Sequence, residues 1–179
     1  MVIYEELKKD HREVLALCDR LIQSADANAQ QRNSLITQIR DALIPHSRAE
    51  EAVFYNAIRQ ESDEKGVVGH AYTEHVMAET LLRSLQVQGV VDIAWRQTAT
   101  KLRDALAHHI QEEETEMFAT AQKIFSTQEA EQIGAAFVQL KPQIEEQGFM
   151  GTSLDLVANL LPARFTATFK KLGVPSSRA

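Results

Sequence analysis

Two segments of the chain carry one pattern. His46-Ser47-Arg48-Ala49-Glu50-Glu51 and His109-Ile110-Gln111-Glu112-Glu113-Glu114 both read H-x-x-x-E-E, with apolar or aromatic residues just beyond. On a helix, positions i and i+4 lie one turn apart on the same face, so each segment can aim an imidazole and a carboxylate at one point. Two such segments facing one another would enclose a cavity lined with nitrogen and oxygen donors. That donor set suits iron, manganese or zinc.

Two lone histidines extend the pattern. Asp10-His11 opens a run backed by Val14, Leu15, Cys18 and Leu21, and Glu74-His75 opens one backed by Ala78, Leu82 and Leu85. His11 and His75 are 64 positions apart, and His46 and His109 are 63 apart. The chain therefore reads as two copies of a helix pair, each giving one lone His and one His-x-x-x-Glu.

The donor count narrows the metal. Ionised carboxylates on an apolar helix face are costly unless they are paired or metal-bound. Four imidazoles (His11, His46, His75, His109) and two carboxylates (Glu50, Glu113) exceed the four ligands of one tetrahedral zinc. They suit two ions, each with two imidazoles and a share of both carboxylates. The lack of thiolate favours iron, and manganese accepts the same donors. Glu79, four residues after His75, shares its face and is a further candidate ligand. Tyr4 and Tyr72 lie within reach of the same cavity by helical spacing. Glu51 and Glu114 read as outer groups. His70 is about 140° around the helix from His75, and His108 about 100° from His109, so both are expected to point elsewhere. His108 with Glu112 makes a shifted H-x-x-x-E.

The elements that must position these residues are helices, because apolar residues recur with helical period and no strand pattern appears. Helices are expected over 2–25, 31–62, 68–87 and 93–124. Residues 26–30 and 62–66 are read as loops. Pro45 is expected to kink or restart the second helix. Gly89 ends the third, and Asp92 caps the fourth. Ser126-Thr127-Gln128-Glu129 reads as a capping box opening a fifth helix over 127–146. A last helical stretch, 153–171, is broken at Pro162. Four long helices with short connections give an all-α, up-down-up-down four-helix bundle over 1–125, with 126–179 as a C-terminal helical extension packed on it. A second copy or another protein would dock through that extension, using Leu154, Val157, Leu160, Leu161, Phe165 and Phe169. Packing of these residues onto the bundle is the favoured reading.

Composition narrows the function class. A chain of 179 residues suffices for one well-buried domain, and its net charge of −6 argues against a nucleic-acid partner. Cys18 is the only cysteine, which rules out an intrachain disulfide and a thiolate zinc cage. No secretory leader or bilayer-length apolar run is seen, so no membrane partner and a cytoplasmic location are expected.

The set Asp10-His11, His46-x-x-x-Glu50-Glu51, Glu74-His75 and His109-x-x-x-Glu113-Glu114 resembles the hemerythrin-like HHE cation-binding domain family over about residues 1–125. The resemblance implies a four-helix bundle with two iron ions, a non-haem di-iron centre bridged by Glu50, Glu113 and an oxo or hydroxo ligand. Oxygen-carrying members place a second His four positions after the third-helix His, where this chain has Glu79. That departure argues against a pure oxygen carrier. It favours redox chemistry on peroxide or dioxygen, with nitric oxide as another small ligand, in a peroxide-decomposing or oxidase-type oxidoreductase tied to oxidative stress. An iron- or gas-binding sensor or storage protein without turnover is the alternative.

Overall fold

The computed structural model describes residues 1–26, 28–61, 65–147, 157 and 159–166. These residues form helices and connections, with no strand among them. Helices α1 (Ile3–Gln23), α2 (Ala29–Glu50), α3 (Asn56–Glu61), α4 (Lys65–Val87), α5 (Ile93–Glu112), α6 (Phe118–Ile124) and α7 (Thr127–Gln147) follow in order. A π-helical turn at Glu51–Tyr55 joins α2 to α3, and another at Glu113–Met117 joins α5 to α6. The long rods α1, α2–α3, α4 and α5–α6 are the four helices of the bundle.

Local chemistry sets the ends. The Asn28 side chain accepts a hydrogen bond from the Gln31 amide at 2.9 Å, so α2 starts slightly earlier than its apolar pattern suggests. Asp92 caps α5 by accepting from the Trp95 amide at 2.8 Å. The Ser126–Glu129 capping box forms in both directions: Glu129 accepts from the Ser126 amide, and Ser126 Oγ from the Glu129 amide. Pro45 does not break α2, which stays α-helical through Glu50. The departure from regular geometry comes six residues later, in the π turn. Lys65 and Gly66, read as loop, are the first turn of α4.

Two apolar clusters flank a polar layer. One gathers Ile3, Leu7, Val53, Phe54, Ala71, Met117 and Phe118 at the start of α1 and α4 and the end of the other two rods. The other gathers Val14, Cys18, Leu43, Leu82, Trp95 and Leu106. This end-to-end matching is what antiparallel neighbours produce. Each of the four rods switches from apolar to His or Glu where the clusters meet: His11 on α1, His46 and Glu50 on α2, His75 on α4, and His109 on α5 with Glu113 just beyond it. All are buried.

Helix α7 is a fifth wall. Ile133, Ala136, Phe137, Leu140 and Ile144 belong to the same apolar cluster as Ile3 and Leu7. Val157, Leu161 and Phe165 join that cluster too, and Arg164 holds the Glu129 carboxylate and the Ile124 carbonyl. Leu154 and Phe169 lie outside the described residues. No described helix is long and apolar enough to cross a membrane.

Gly134 fixes how closely α7 approaches α1. A Cβ there would fall 2.7 Å from the Met1 carbonyl oxygen and 2.9 Å from the Ile3 nitrogen. On a free helix surface, Gly→Ala would stabilise by about 1 kcal/mol. Here the backbone must retreat, at a cost of about 1–3 kcal/mol. Gly134→Ala is therefore expected to lower the melting temperature, and a rise would show that α7 is free to shift.

Candidate metal centre

The polar layer converges on one point between the rods. His46 Nε2 is 3.7 Å and His75 Nε2 3.4 Å from Glu50 Oε2. On the opposite side, His11 Nε2 is 3.3 Å and His109 Nε2 3.7 Å from Glu113 Oε2. Each carboxylate thus reaches one histidine from each half of the repeat. Two groups result: His11, His46 and Glu50 in one, and Glu50, His75 and His109 in the other, with donor atoms in each within 4.8 Å of one another. Glu50 belongs to both, and Glu113 links them from the far side.

The donors fit a pair of cations. Both oxygens of Glu50, both of Glu113 and His11 Nε2 are buried without a regular hydrogen bond. Stranding so many acceptors would cost several kcal/mol. His75 Nε2 and His109 Nε2 approach to 3.0 Å, a separation that two nitrogens can share around a metal ion.

A ring of four further carboxylates sets the direction of every imidazole. Asp10 Oδ2 lies 3.1 Å from His46 Nδ1, and Glu74 Oε2 lies 2.9 Å from His109 Nδ1. Glu51 Oε1 is 2.9 Å from His75 Nδ1, and Glu114 Oε1 is 2.9 Å from His11 Nδ1. Each Nδ1–H is held outward by an anion, so that Nε2, once free of any proton, faces in as a lone pair. This is the arrangement that fixes tautomer and raises basicity in metal-bound histidine. Within each copy the acid beside the lone His serves the His of the H-x-x-x-E segment, and between copies the second Glu of each such segment serves the other copy's lone His.

The π turns make room for this. In an α-helix the residue five after Glu50 would sit about 140° away from it. A π turn closes its hydrogen bonds at i+5, which brings that residue onto the same face. Tyr55 thereby arrives with its hydroxyl 3.4 Å from His75 Nε2 and its ring stacked on the imidazole at 5.5 Å. The matching residue in the other half is Phe118, which packs on Tyr4 at 5.1 Å and carries no hydroxyl. Tyr55 is the site residue that α-helical spacing misses. The only signal for it is an aromatic residue after both H-x-x-x-E-E segments.

The other candidates take different places. Glu79 is buried but belongs to neither group; its Oε1 is 2.5 Å from Arg48, which also grips both oxygens of Glu51 at 3.1 Å. Glu79 therefore acts one step further out, through Arg48 and Glu51, on His75. The guanidinium two residues after His46 claims the carboxylate that helical phase aims at the cavity. Tyr72 donates to the Glu51 carbonyl at 3.4 Å. The Tyr4 hydroxyl is buried with no hydrogen-bond partner, and burial pushes its pKa up to about 12. Helix α7 adds two contacts: Phe137 meets His46 edge-on at 5.5 Å, and Lys141 grips Asp10 at 2.5 Å.

With protons in place of metal, the cavity balances its charge unevenly. Burial opposes ionising His11, but Glu113 and Glu114 outweigh it and lift the pKa to about 10. Glu50 and Glu51 likewise outweigh burial to raise His75 to about 9. Burial, then the His75 charge, drives His109 down to about 3. Burial and the Glu50 charge raise Glu113. Burial also opposes ionising Glu50, yet the Glu113 carboxyl beside it and the neighbouring imidazoles hold it low.

Comparison with known proteins agrees with this geometry. The hemerythrin HHE cation binding domain matches residues 2–121, and the chain belongs to that family. A crystal structure of a hemerythrin HHE cation binding domain-containing protein from Mycobacterium kansasii superposes with a TM-score of 0.70 at 20% identity, covering 90% of this chain and 99% of that one. A DNA nickase from Nostoc sp. is 27% identical over 147 residues, or 82% of this chain. The match spans 41% of that protein's length.

His11 and His75 are protonated at neutral pH and must lose those protons to bind a cation. Metal loading at pH 7 is therefore expected to release about two or more protons per chain, and apparent affinity should tighten as pH rises. Calorimetry in buffers of different ionisation enthalpy measures the release. Loading without proton release would mean that these two imidazoles are not ligands.

Proposed function

We propose that this chain is a non-haem di-iron protein that carries out redox chemistry on small oxygen species, with peroxide or dioxygen as substrate and nitric oxide as a further ligand. The observation that carries the reading is the pair of donor groups sharing Glu50, with Glu113 closing the other side. His11 and His46 would hold one ion, and His75 and His109 the other. Two irons bound there supply a ferrous–ferric couple and Lewis acidity. Iron is favoured over zinc by the imidazole–carboxylate mixture and by the number of donors.

The protein's own part is positioning and proton supply. Asp10, Glu51, Glu74 and Glu114 lock the imidazoles, so little reorganisation accompanies a change of charge. The apolar clusters on either side keep the centre dry. Among the described residues, Tyr55 sets a neutral hydroxyl against an inward-facing Nε2. Burial, together with the charges of Glu113 and Glu50, raises its pKa well above 10, so it stays a proton donor. With His75 Nε2 turned to metal, the Tyr55 proton is free to serve an oxygen atom arriving beside Glu50. A hydrogen peroxide or dioxygen molecule is small enough for such a space, which supports the substrate class. Cys18, a buried free thiol, suits a reducing cytoplasm.

One observation favours a second reading, a sensor without turnover. Helix α7 touches His46 through Phe137 and Asp10 through Lys141, so a change at the centre would be felt by a segment outside the family match. Nicking is not carried over from the Nostoc relative, because affinity for nucleic acid comes chiefly from positive charge and this chain carries −6.

Iron-loaded protein is expected to hold two irons per chain and, in the ferric state, to consume peroxide. Tyr55→Phe should keep both irons and slow that turnover by roughly a hundredfold. Iron near one per chain would sink the di-iron reading. Two irons with no peroxide consumption would leave the sensing and storage reading instead.

A further inference from the structure

A second pair of H-x-x-x-E segments meets outside the buried layer. His70 and Glu74 are one turn apart on α4, and His108 and Glu112 are one turn apart on α5. Their side chains converge although their backbones diverge in phase from His75 and His109. His70 Nε2 lies 3.5 Å from Glu74 Oε1 and 3.6 Å from Glu112 Oε2. His108 Nε2 lies 3.2 Å from Glu112 Oε1 and 3.9 Å from Glu74 Oε1. One donor atom each from His70, Glu74 and Glu112 fall within 4.8 Å of one another.

These spacings favour a cation over a hydrogen-bonded cluster. Three of the four exceed the roughly 3.2 Å limit of a good N–H···O bond. Ligands at about 2.1 Å from a tetrahedral ion are themselves about 3.4 Å apart. Glu74 is the fixed member: it is buried, and its other oxygen holds His109 Nδ1. His70 and His108 are 60% and 63% exposed, so the remaining arms are open to solvent. His70, Glu74 and Glu112 line a cavity of about 280 Å³ together with His109 and Glu113 of the buried centre.

We propose that His70, Glu74 and Glu112, with His108 alongside on Glu112, form a third, exposed site for a divalent transition metal, from which ions pass through this cavity to the buried pair. Imidazole and carboxylate donors of this kind take ferrous, manganous, cobaltous or zinc ions alike. A site whose His70 and Glu112 arms are open to solvent releases its ion readily, as a transfer station must. Glu74 belongs to both stations, touching the exposed site with one oxygen and His109 with the other. The passage step rests on the two-ion reading of the buried centre; binding at the surface does not.

Cobalt(II) tests it on the full-length chain, by counting bound equivalents calorimetrically and following loading by visible absorption. The wild type is expected to take three equivalents and the His70→Ala/His108→Ala variant two. Loading of the buried centre should be slower in the variant by about tenfold. Equal equivalents in both proteins would overturn the surface site and leave the quartet as solvated ion pairs. A lost equivalent with an unchanged loading rate would overturn the passage. Two equivalents in the wild type and one in the variant would keep the surface site and count against the two-ion reading instead.

Discussion

Burying four imidazoles and two carboxylates in one layer is the constraint on which the rest of this structure depends. An isolated buried charge or orphaned acceptor costs several kcal/mol, and this layer gathers six such groups between two apolar clusters. The chain meets half of that demand itself. Each Nδ1 is given a carboxylate, so each ring is satisfied on its outer edge and fixed in angle. His11 Nε2 and the oxygens of Glu50 and Glu113 find no such partners. The demand left over is for positive charge at the middle of the bundle, which is what a cation-binding domain supplies on loading.

The π turns follow from that demand. Glu50 must face the centre while its neighbour Glu51 reaches sideways to His75, and the same holds for Glu113 and Glu114. Continuing as an α-helix would carry the next aromatic residue away from the layer. Widening one turn by one residue restores the phase, and both rods do so at the same place in the repeat. The widened turns also bury Tyr55 on one side and Phe118 on the other. The duplication is thus equal in backbone and unequal in chemistry, since only one half offers a hydroxyl.

Helical periodicity made the rods legible, and capping residues such as Asp92 and the Ser126–Glu129 box placed their ends. The four histidines with Glu50 and Glu113 were legible because i,i+4 spacing recurs at a fixed interval. What stayed hidden was whatever depends on departures from α geometry or on side-chain competition. Tyr55 needed a π turn that no local propensity announces. Glu79 had the right phase, but phase does not reveal that Arg48 waits on the adjacent rod. His70 and His108 were each out of phase with their inward-facing neighbours, and that same offset sets both against Glu74 and Glu112 on the outside. Pro45 was expected to kink or restart the second helix; α2 does not restart there but runs on to Glu50, and the irregularity falls at Glu51.

The outer ring also makes the two halves of the centre unlike. Behind His46, Asp10 is gripped by Lys141 of α7, a permanent cation that draws charge away from the imidazole. Behind His109, Glu74 Oε1 faces the exposed imidazoles of His70 and His108 in place of a lysine or arginine. Behind His75, Glu51 shares Arg48 with Glu79, whereas behind His11 the Glu114 carboxylate is held low mainly by His11 itself. A carboxylate partnered by a fixed cation donates less to its imidazole than one left to the imidazole alone. Two ions held by the same inner ring of donors would therefore differ in electron density. One half is tied to α7, and the other opens through a cavity to solvent. A duplicated sequence has in this way produced two unlike halves, and the half beside that cavity is the one whose second carboxylate oxygen already points outward.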